Sequence, residues 1–287
     1  MKLLNCIETH AARLTEAGVS FGHGTSNAFD EAAWLVLWRL GHPLDELDEH
    51  ADQVLDEAAL AKVGRFIDQR IATRKPAAYL TREAWLQGVP FYVDERAIVP
   101  RSFIAELIAD ASIDAWLGED TFRVLDLCTG NGSLAVLAAL AWPDVHVDAI
   151  DLSADALEVA RINVEKHGFQ DRIQLLQGDG LTPAEGTYDL ILCNPPYVNS
   201  GAMAALPAEY QAEPALALAG GADGMDFIRR LLADAPKYLS ERGILVLEIG
   251  NERNFFEAAF PQLEVVWMET SAGEDQVLLI TQEALSR

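Results

Sequence analysis

The chain has little cysteine, a deficit of positive charge and no long apolar run. Cys6, Cys128 and Cys193 are its three cysteines in 287 residues, a number and spacing that exclude a disulfide framework and a zinc-type ligand set. Cys128 and Cys193 fall at predicted strand ends and read as small buried hydrophobes. Leu3-Leu4-Asn5-Cys6 is not expected to act as a lipoprotein signal, because no apolar stretch precedes its cysteine. No segment approaches the roughly 18 apolar residues of a membrane span, so a soluble, cytoplasmic protein is expected. His10, His23, His42, His50, His146 and His167 make no ligand-spaced pair with thiol or acidic groups, and no metal is expected. Lys and Arg total 21 against 45 Asp and Glu, a formal charge of −24. Such a field repels phosphate backbones and attracts cations. It argues against a nucleic-acid partner and for a basic protein one. Half of the residues are hydrophobic, enough for a sizeable core.

Periodicity divides the chain. Residues 1–80 read as helical: Leu3, Leu4, Ile7 and Leu14 recur at helical spacing, Gly22-His23-Gly24 interrupts, and Thr25 to Asn27 can cap a second helix ending at Gly41. A third helix spans about Asp56 to Thr73. Residues 81–100 read as a β-hairpin linker turning at Gly88, and 101–287 as the larger domain. There an amphipathic helix from Ser102 to about Leu117 precedes alternating strands and helices, the mark of an α/β fold with a mostly parallel sheet. Predicted strands are Phe122–Leu127, Val145–Ile150, Ile173–Leu176, Tyr188–Cys193, Gly243–Ile249, Leu263–Met268 and Gln276–Thr281. Helices are predicted at Ser133–Ala141, Ala154–His167, Met225–Leu239 and Arg253–Ala259.

Four of these strands end in chemistry. After the first, Asp126-Leu127-Cys128-Thr129-Gly130-Asn131-Gly132 leads into a helix, and Gly130 and Gly132 allow the backbone to approach a ligand. A third glycine at dinucleotide-site spacing is absent, and Asp126 would repel a pyrophosphate but attract an ammonium group. That favours S-adenosylmethionine over a nicotinamide cofactor. Asp151-Leu152 ends the second strand, where a carboxylate accepts hydrogen bonds from ribose hydroxyls. Asp179-Gly180 ends the third, with Asp179 placed to accept from an adenine amino group. Asn194-Pro195-Pro196-Tyr197 ends the fourth. Pro195 forces Asn194 into an extended conformation, and the prolines leave rigid carbonyl acceptors without N–H groups. With the Asn194 amide and the flat Tyr197 ring, this turn suits a planar –NH2 group. Ligands of open α/β sheets bind along this carboxyl edge.

Asp126 to Gly132 together with Asn194-Pro195-Pro196-Tyr197 resembles the class I S-adenosylmethionine-dependent amino-methyltransferases, and within them the protein-glutamine methyltransferases. The likeness covers nearly the whole chain. Val99-Pro100-Arg101-Ser102, Glu213-Pro214 and Gly220-Gly221-Ala222-Asp223-Gly224-Met225-Asp226 with Arg229 all recur in that family. It implies a Rossmann-like seven-stranded sheet, a helical N-terminal substrate-recognition domain and a hairpin linker. It also implies S-adenosyl-L-methionine as donor, with S-adenosyl-L-homocysteine as product and no metal. On this resemblance Asp126, Thr129, Gly130, Gly132, Asp151, Leu152, Asp179, Gly180 and Asn194 hold the cofactor. Asn194, Pro195 and Tyr197 are expected to be catalytic, and Arg101, Asn194, Pro195, Pro196 and Tyr197 to touch substrate. Gly22-His23-Gly24-Thr25, Tyr79-Leu80-Thr81 with Ala84-Trp85, and Phe91 to Arg96 are similar to the branch acting on large-subunit ribosomal protein L3. That basic substrate would be met before or during 50S assembly. The alternatives are the release-factor branch, an adenine-N6 nucleic-acid methyltransferase, which shares the Asn-Pro-Pro-aromatic turn, and a non-catalytic binding scaffold. Phe103 departs from the ribosomal branch, which usually has proline there. Gly180 lacks the aromatic that the release-factor branch carries beside its adenine-binding aspartate. The stretch Ser200 to Gly224 is expected to meet the protein substrate.

Overall fold

The computed structural model describes residues 1–118 and 121–287. Helices α1 (Leu3–Glu16), α2 (Ala28–Leu40), α3 (Leu47–His50), α4 (Glu57–Thr73) and α5 (Ala77–Thr81) come first. The hairpin β1 (Ala84–Leu86) and β2 (Val89–Phe91) follows. Then come α6 (Ile104–Ala109), β3 (Arg123–Leu127), α7 (Ser133–Ala141), β4 (His146–Asp151), α8 (Ala154–His167), β5 (Ile173–Gln177) and β6 (Tyr188–Cys193). After α9 (Ser200–Ala205) and α10 (Ala208–Gln211) the chain runs through α11 (Asp226–Asp234), β7 (Leu239–Glu248), α12 (Arg253–Ala259), β8 (Val266–Thr270), β9 (Gly273–Thr281) and α13 (Gln282–Leu285). By its internal packing it forms two compact units. One is Met1–Ala84 with Leu206–Glu213, the other Trp85–Ala205 with Pro214–Arg287.

In the helical unit, α1 buries Leu3, Ile7 and Leu14, α2 buries Ala32, Leu35 and Val36, and α4 buries Val63, Phe66 and Ile67. The cap of α2 falls within the stretch expected to supply it, and Asp56, expected as the first residue of the third helix, caps α4. Asn27 accepts from the Asp30 N–H at 3.0 Å, and Asp56 accepts from the Ala59 N–H at 2.7 Å. Such caps are worth about 1 kcal/mol each. The Leu206–Glu213 segment, read from sequence as part of the larger domain, packs here instead through ion pairs. Arg70, fully buried, donates to Glu31 at 2.8 Å and to Glu209 at 3.1 Å, and Arg74 Nη2 donates to Glu209 at 2.9 Å. Removing one partner of such a pair strands a buried charge and costs about 3–5 kcal/mol. The His23 ring packs at a tilt of 51° against Tyr210 of the same segment, centroids 4.2 Å apart. That contact gives Gly22-His23-Gly24 a packing role that spacing alone did not reveal.

The larger unit is a seven-stranded sheet in the order β5-β4-β3-β6-β7-β9-β8. Strands β3 to β7 pair in parallel, and β9 is antiparallel to β7 and β8. Alternate residues feed the two faces. Val124, Val147, Leu190 and Val246 pack with Leu107, Val136 and Leu137 of α6 and α7 on one side. Leu125, Ile191, Cys193 and Leu247 pack with Ile228, Leu231 and Phe256 of α11 and α12 on the other. The hairpin turns through Gln87 and Gly88, both at positive φ, as a two-residue loop between twisted strands requires.

Most strand limits shift by one to three residues, and three helix and strand limits depart further from expectation. The helix expected to run to Leu117 stops at Ala109, because the Asp110 carboxylate takes the Ser112 N–H at 2.9 Å and Ala111 turns to φ 61°; local side-chain bonds compete with the helical ladder. The helix expected to reach Leu239 ends at Asp234 and tightens to a 3₁₀ turn over Ala235–Lys237, since Pro236 offers no N–H. Strand β7 starts at Leu239 rather than Gly243, Leu239 pairing with Tyr188 ahead of an irregular step.

Candidate active site

The carboxyl ends of β3, β4, β5 and β6 open onto one cavity of about 250 Å3. Leu127, Cys128 and Gly130 form its floor, Asp151 and Leu152 one wall, Asp179 and Gly180 another, and Asn194 and Pro196 the end nearest β6. Arg96 and Ile98 from the linker line it too, as do Phe227 and Arg230 from α11.

The glycine loop is shaped by backbone bonds to side chains. Asp151 accepts the Gly130 N–H through Oδ2 and the Ser153 N–H through Oδ1, each at 2.8 Å. Burial pushes its carboxyl upward, while those N–H groups favour the charged form. Cys128 sits at φ 63°, a left-handed conformation that a non-glycine residue adopts at a cost. Contrary to expectation, Cys128 is half-buried and faces the cavity, whereas Cys193 is buried in the core.

Several predicted site residues lie elsewhere. Asp126 does not line the cavity. It is fully buried beneath the loop, where Oδ2 accepts from Thr129 Oγ1 and from the Ala135 N–H at 3.0 Å. Oδ1 has no protein partner. Burial, with a smaller push from Asp151, raises this carboxyl to about 7. The residue braces the loop–helix junction; the ammonium-facing placement expected for it is not observed. Thr129 is absent from the cavity wall because its hydroxyl points down to Asp126. Gly132 faces Ala160 of α8, where an added Cβ would stand 3.1 Å from the Ala160 Cβ. Pro195, Tyr197 and Arg101 also lie off the wall. Arg101 Nη1 donates to the Val99 carbonyl at 3.0 Å.

The end around Asn194 is assembled from distant segments. Asn194 lines the cavity, and no hydrogen bond from its carboxamide to protein is found among the described residues. Beyond Tyr197 the chain pairs with the glycine-rich stretch: the Val198 N–H donates to the Leu218 carbonyl at 2.8 Å, and the Gly220 N–H to the Val198 carbonyl at 2.9 Å. Gly224, at φ +81°, lies so close that a Cβ would fall 2.2 Å from the Tyr197 carbonyl oxygen. The stretch expected to meet substrate thus straps the Asn-Pro-Pro-Tyr turn.

Sequence reasoning missed four side chains here. Phe227 and Arg230 lie three apart on α11, hence on one face. Phe227 stands 4.0 Å from where a Gly180 Cβ would be, supplying in space an aromatic missing beside Asp179 in sequence. Arg230 Nη1 donates to Asp179 Oδ2 at 2.8 Å, leaving Asp179 less free for an amino group than expected. Arg96 is fixed by Asp94 through Nη2 at 2.7 Å. Burial opposes ionisation of Asp94, but the Arg96 bonds and the Tyr92 hydroxyl outweigh it and hold that carboxyl at about 2. The fourth, Glu248, ends β7. It is buried, which raises its carboxyl, and it accepts from Ser102 and Tyr197. An acidic residue closing an apolar strand was the available signal.

Among the described residues no group of three or more His, Cys, Asp or Glu is arranged to hold a metal ion, and no helix is long and apolar enough to cross a membrane. The model of the methyltransferase small domain matches residues 113–211. A ribosomal protein uL3 glutamine methyltransferase of Bordetella pertussis is 54% identical, over 99% of this chain and 96% of its own length. One from Burkholderia pseudomallei is 52% identical, over 97% and 94%. The solved hMettl16 catalytic domain in complex with MAT2A 3'UTR hairpin 1 matches at a TM-score of 0.55 and 14% identity, covering 86% of this chain and 88% of that one.

Proposed function

Since the chain belongs to the ribosomal protein uL3 glutamine methyltransferases, we infer that it transfers a methyl group from S-adenosyl-L-methionine to a glutamine side-chain amide nitrogen of 50S ribosomal protein uL3. Its sheet has the class I methyltransferase fold. The observation that carries the chemistry is the position of Asn194, in the wall of the cavity that Gly130, Asp151 and Asp179 also line.

The cavity suits the methyl donor. Asp151 keeps acceptor capacity beyond its two N–H bonds for ribose hydroxyls, Leu152 and Phe227 offer apolar flanks, and Asp179-Gly180 lies at the adenine end. When bound, S-adenosyl-L-methionine supplies an electrophilic methyl on a sulfonium. The protein's task is to present a poor nucleophile, since the amide lone pair is delocalised into its carbonyl. Asn194 in the cavity wall and the rigid carbonyl of Pro195, just off that wall, accept the two N–H bonds of the glutamine amide and aim its nitrogen. Tyr197 backs the turn. Orientation of this kind is worth up to about 7–11 kcal/mol, and no strong base is required if the proton leaves after methylation.

The helical 1–80 segment serves substrate recognition, and the acidic chain meets uL3 in the cytoplasm before rRNA covers it. Its −24 charge supports this order, because anionic RNA and an anionic enzyme repel. Labelled-methyl transfer with purified free uL3, a purified release factor and assembled 50S particles tests the whole reading. Free uL3 should be labelled fastest, at a glutamine. Label on the release factor or on RNA would overturn the substrate, and label on particles but not on free protein would overturn the order.

A further inference from the structure

Glu248 closes β7 with 2% of its surface exposed, and among the described residues no cationic side chain lies within ion-pair distance of it. An unpaired buried carboxylate is expensive unless hydrogen bonds satisfy it. Here they do, from two segments far apart in sequence. Oε2 accepts the Ser102 hydroxyl at 2.6 Å and the Phe103 N–H at 2.9 Å, and Oε1 accepts the Tyr197 hydroxyl at 3.1 Å. The Tyr197 ring also lies close against Gly250, where a Cβ would stand 2.5 Å from it. One carboxylate therefore joins the segment that follows Arg101 to the turn that carries Asn194.

We propose that Glu248 is a positioning residue for amide methylation: by holding the Tyr197 hydroxyl and the Ser102 turn on its two oxygens, it sets where the Asn194 carboxamide stands in the cavity. This deepens the proposed function and rests on it. A glutamate that served folding alone would need the Ser102 and Phe103 bonds but not the tyrosine hydroxyl. That hydroxyl can be removed without disturbing the ring.

The test is a double-mutant cycle on the full-length enzyme with free uL3. Tyr197→Phe should lower kcat roughly tenfold with S-adenosyl-L-methionine Kd unchanged, and Glu248→Leu should lower it at least as much. In the double variant the tyrosine change should add little, since its bond to Glu248 is already gone. Glu248→Gln, which can still accept from Ser102 and can donate to the tyrosine oxygen, should recover most of the loss. If the single losses multiply in the double variant, or Tyr197→Phe leaves kcat intact, the proposal is overturned. If Glu248→Leu does not fold, Tyr197→Phe decides alone: a roughly tenfold fall in kcat with donor Kd unchanged supports the proposal, and an intact kcat overturns it. A wild-type enzyme that fails to label uL3 would refute the function reading instead, leaving this outcome recognisably separate.

Discussion

The two ends of the cavity are built in different ways. At the cofactor end, Asp151 holds Gly130 and Ser153, partners at most 21 positions away, through backbone N–H groups. At the clamp end, Ser102 meets Glu248 across 146 positions and Tyr197 meets it across 51, while Val198 pairs with residues 218 and 220. The first end is a loop shaping itself; the second is three segments closing on one turn. Damage at the cofactor end should therefore stay local and appear in donor affinity. Damage at the clamp end should appear in turnover, even when introduced far along the chain.

The largest effect expected is that of Asn194→Ala. Removing the polar clamp side chain that lines the cavity should lower kcat roughly 10³-fold while leaving S-adenosyl-L-methionine Kd, measured by calorimetry, within a few-fold. Equal losses in both quantities would erase the distinction between the ends. Next comes Gly224→Ala. Its methyl would strike the Tyr197 carbonyl at 2.2 Å, on a backbone at φ +81°, so the strap must shift. A misplacement of about 1 Å costs roughly 10²-fold. A fall in kcat of that order, 30 positions from Asn194, with donor affinity preserved, would show that the strap holds the clamp.

The same contrast explains what was legible in the sequence. That Asp151, Asp179 and Asn194 come together at one cavity could be read because each sits at or just beyond a strand end, and strand ends follow from apolar runs; α7, α8 and α12 were read to the residue from their own periodicity. Asp126 was misread because spacing places a residue on a strand but does not say which side its carboxylate turns to. In the parallel pairing of β3, Asp126 lies in the register of Ala149 and Leu192 and points under the loop. Glu248, Phe227 and the strap escaped because their partners are remote in sequence, and no local pattern encodes a bond across such separations. The ion-paired Leu206–Glu213 segment escaped likewise, since its alternation reads as an ordinary surface loop.

A smaller effect is expected from Asp151→Ala, which tests the cofactor end. It removes the acceptor proposed for the ribose and frees the Gly130 and Ser153 N–H groups together. Donor Kd should rise about 10- to 30-fold, the loss of one or two charge-assisted hydrogen bonds, with kcat at saturating donor little changed. A collapse of kcat under saturation would mean that the loop also positions the clamp, and the two ends would be one.

The smallest effect on affinity belongs to Asp126→Asn, which separates bracing from binding. Burial raises this carboxyl to about 7 in the folded protein, against 3.8 for a free aspartate. The sign follows directly. The folded state binds the proton more tightly than the unfolded state, so the group costs nothing below about pH 4. Its cost grows as pH rises toward 7 and is complete above it. Asparagine cannot ionise, yet it offers an oxygen to Thr129 and to the Ala135 N–H where Oδ2 now stands. The variant should match wild type in thermal midpoint near pH 4.5 and exceed it by roughly 5 °C at pH 8, with donor Kd within about twofold in both conditions. A large loss of donor affinity would instead return Asp126 to the ligand. The carboxylate would then have to reach an ammonium group through a loop that, in this structure, covers it completely.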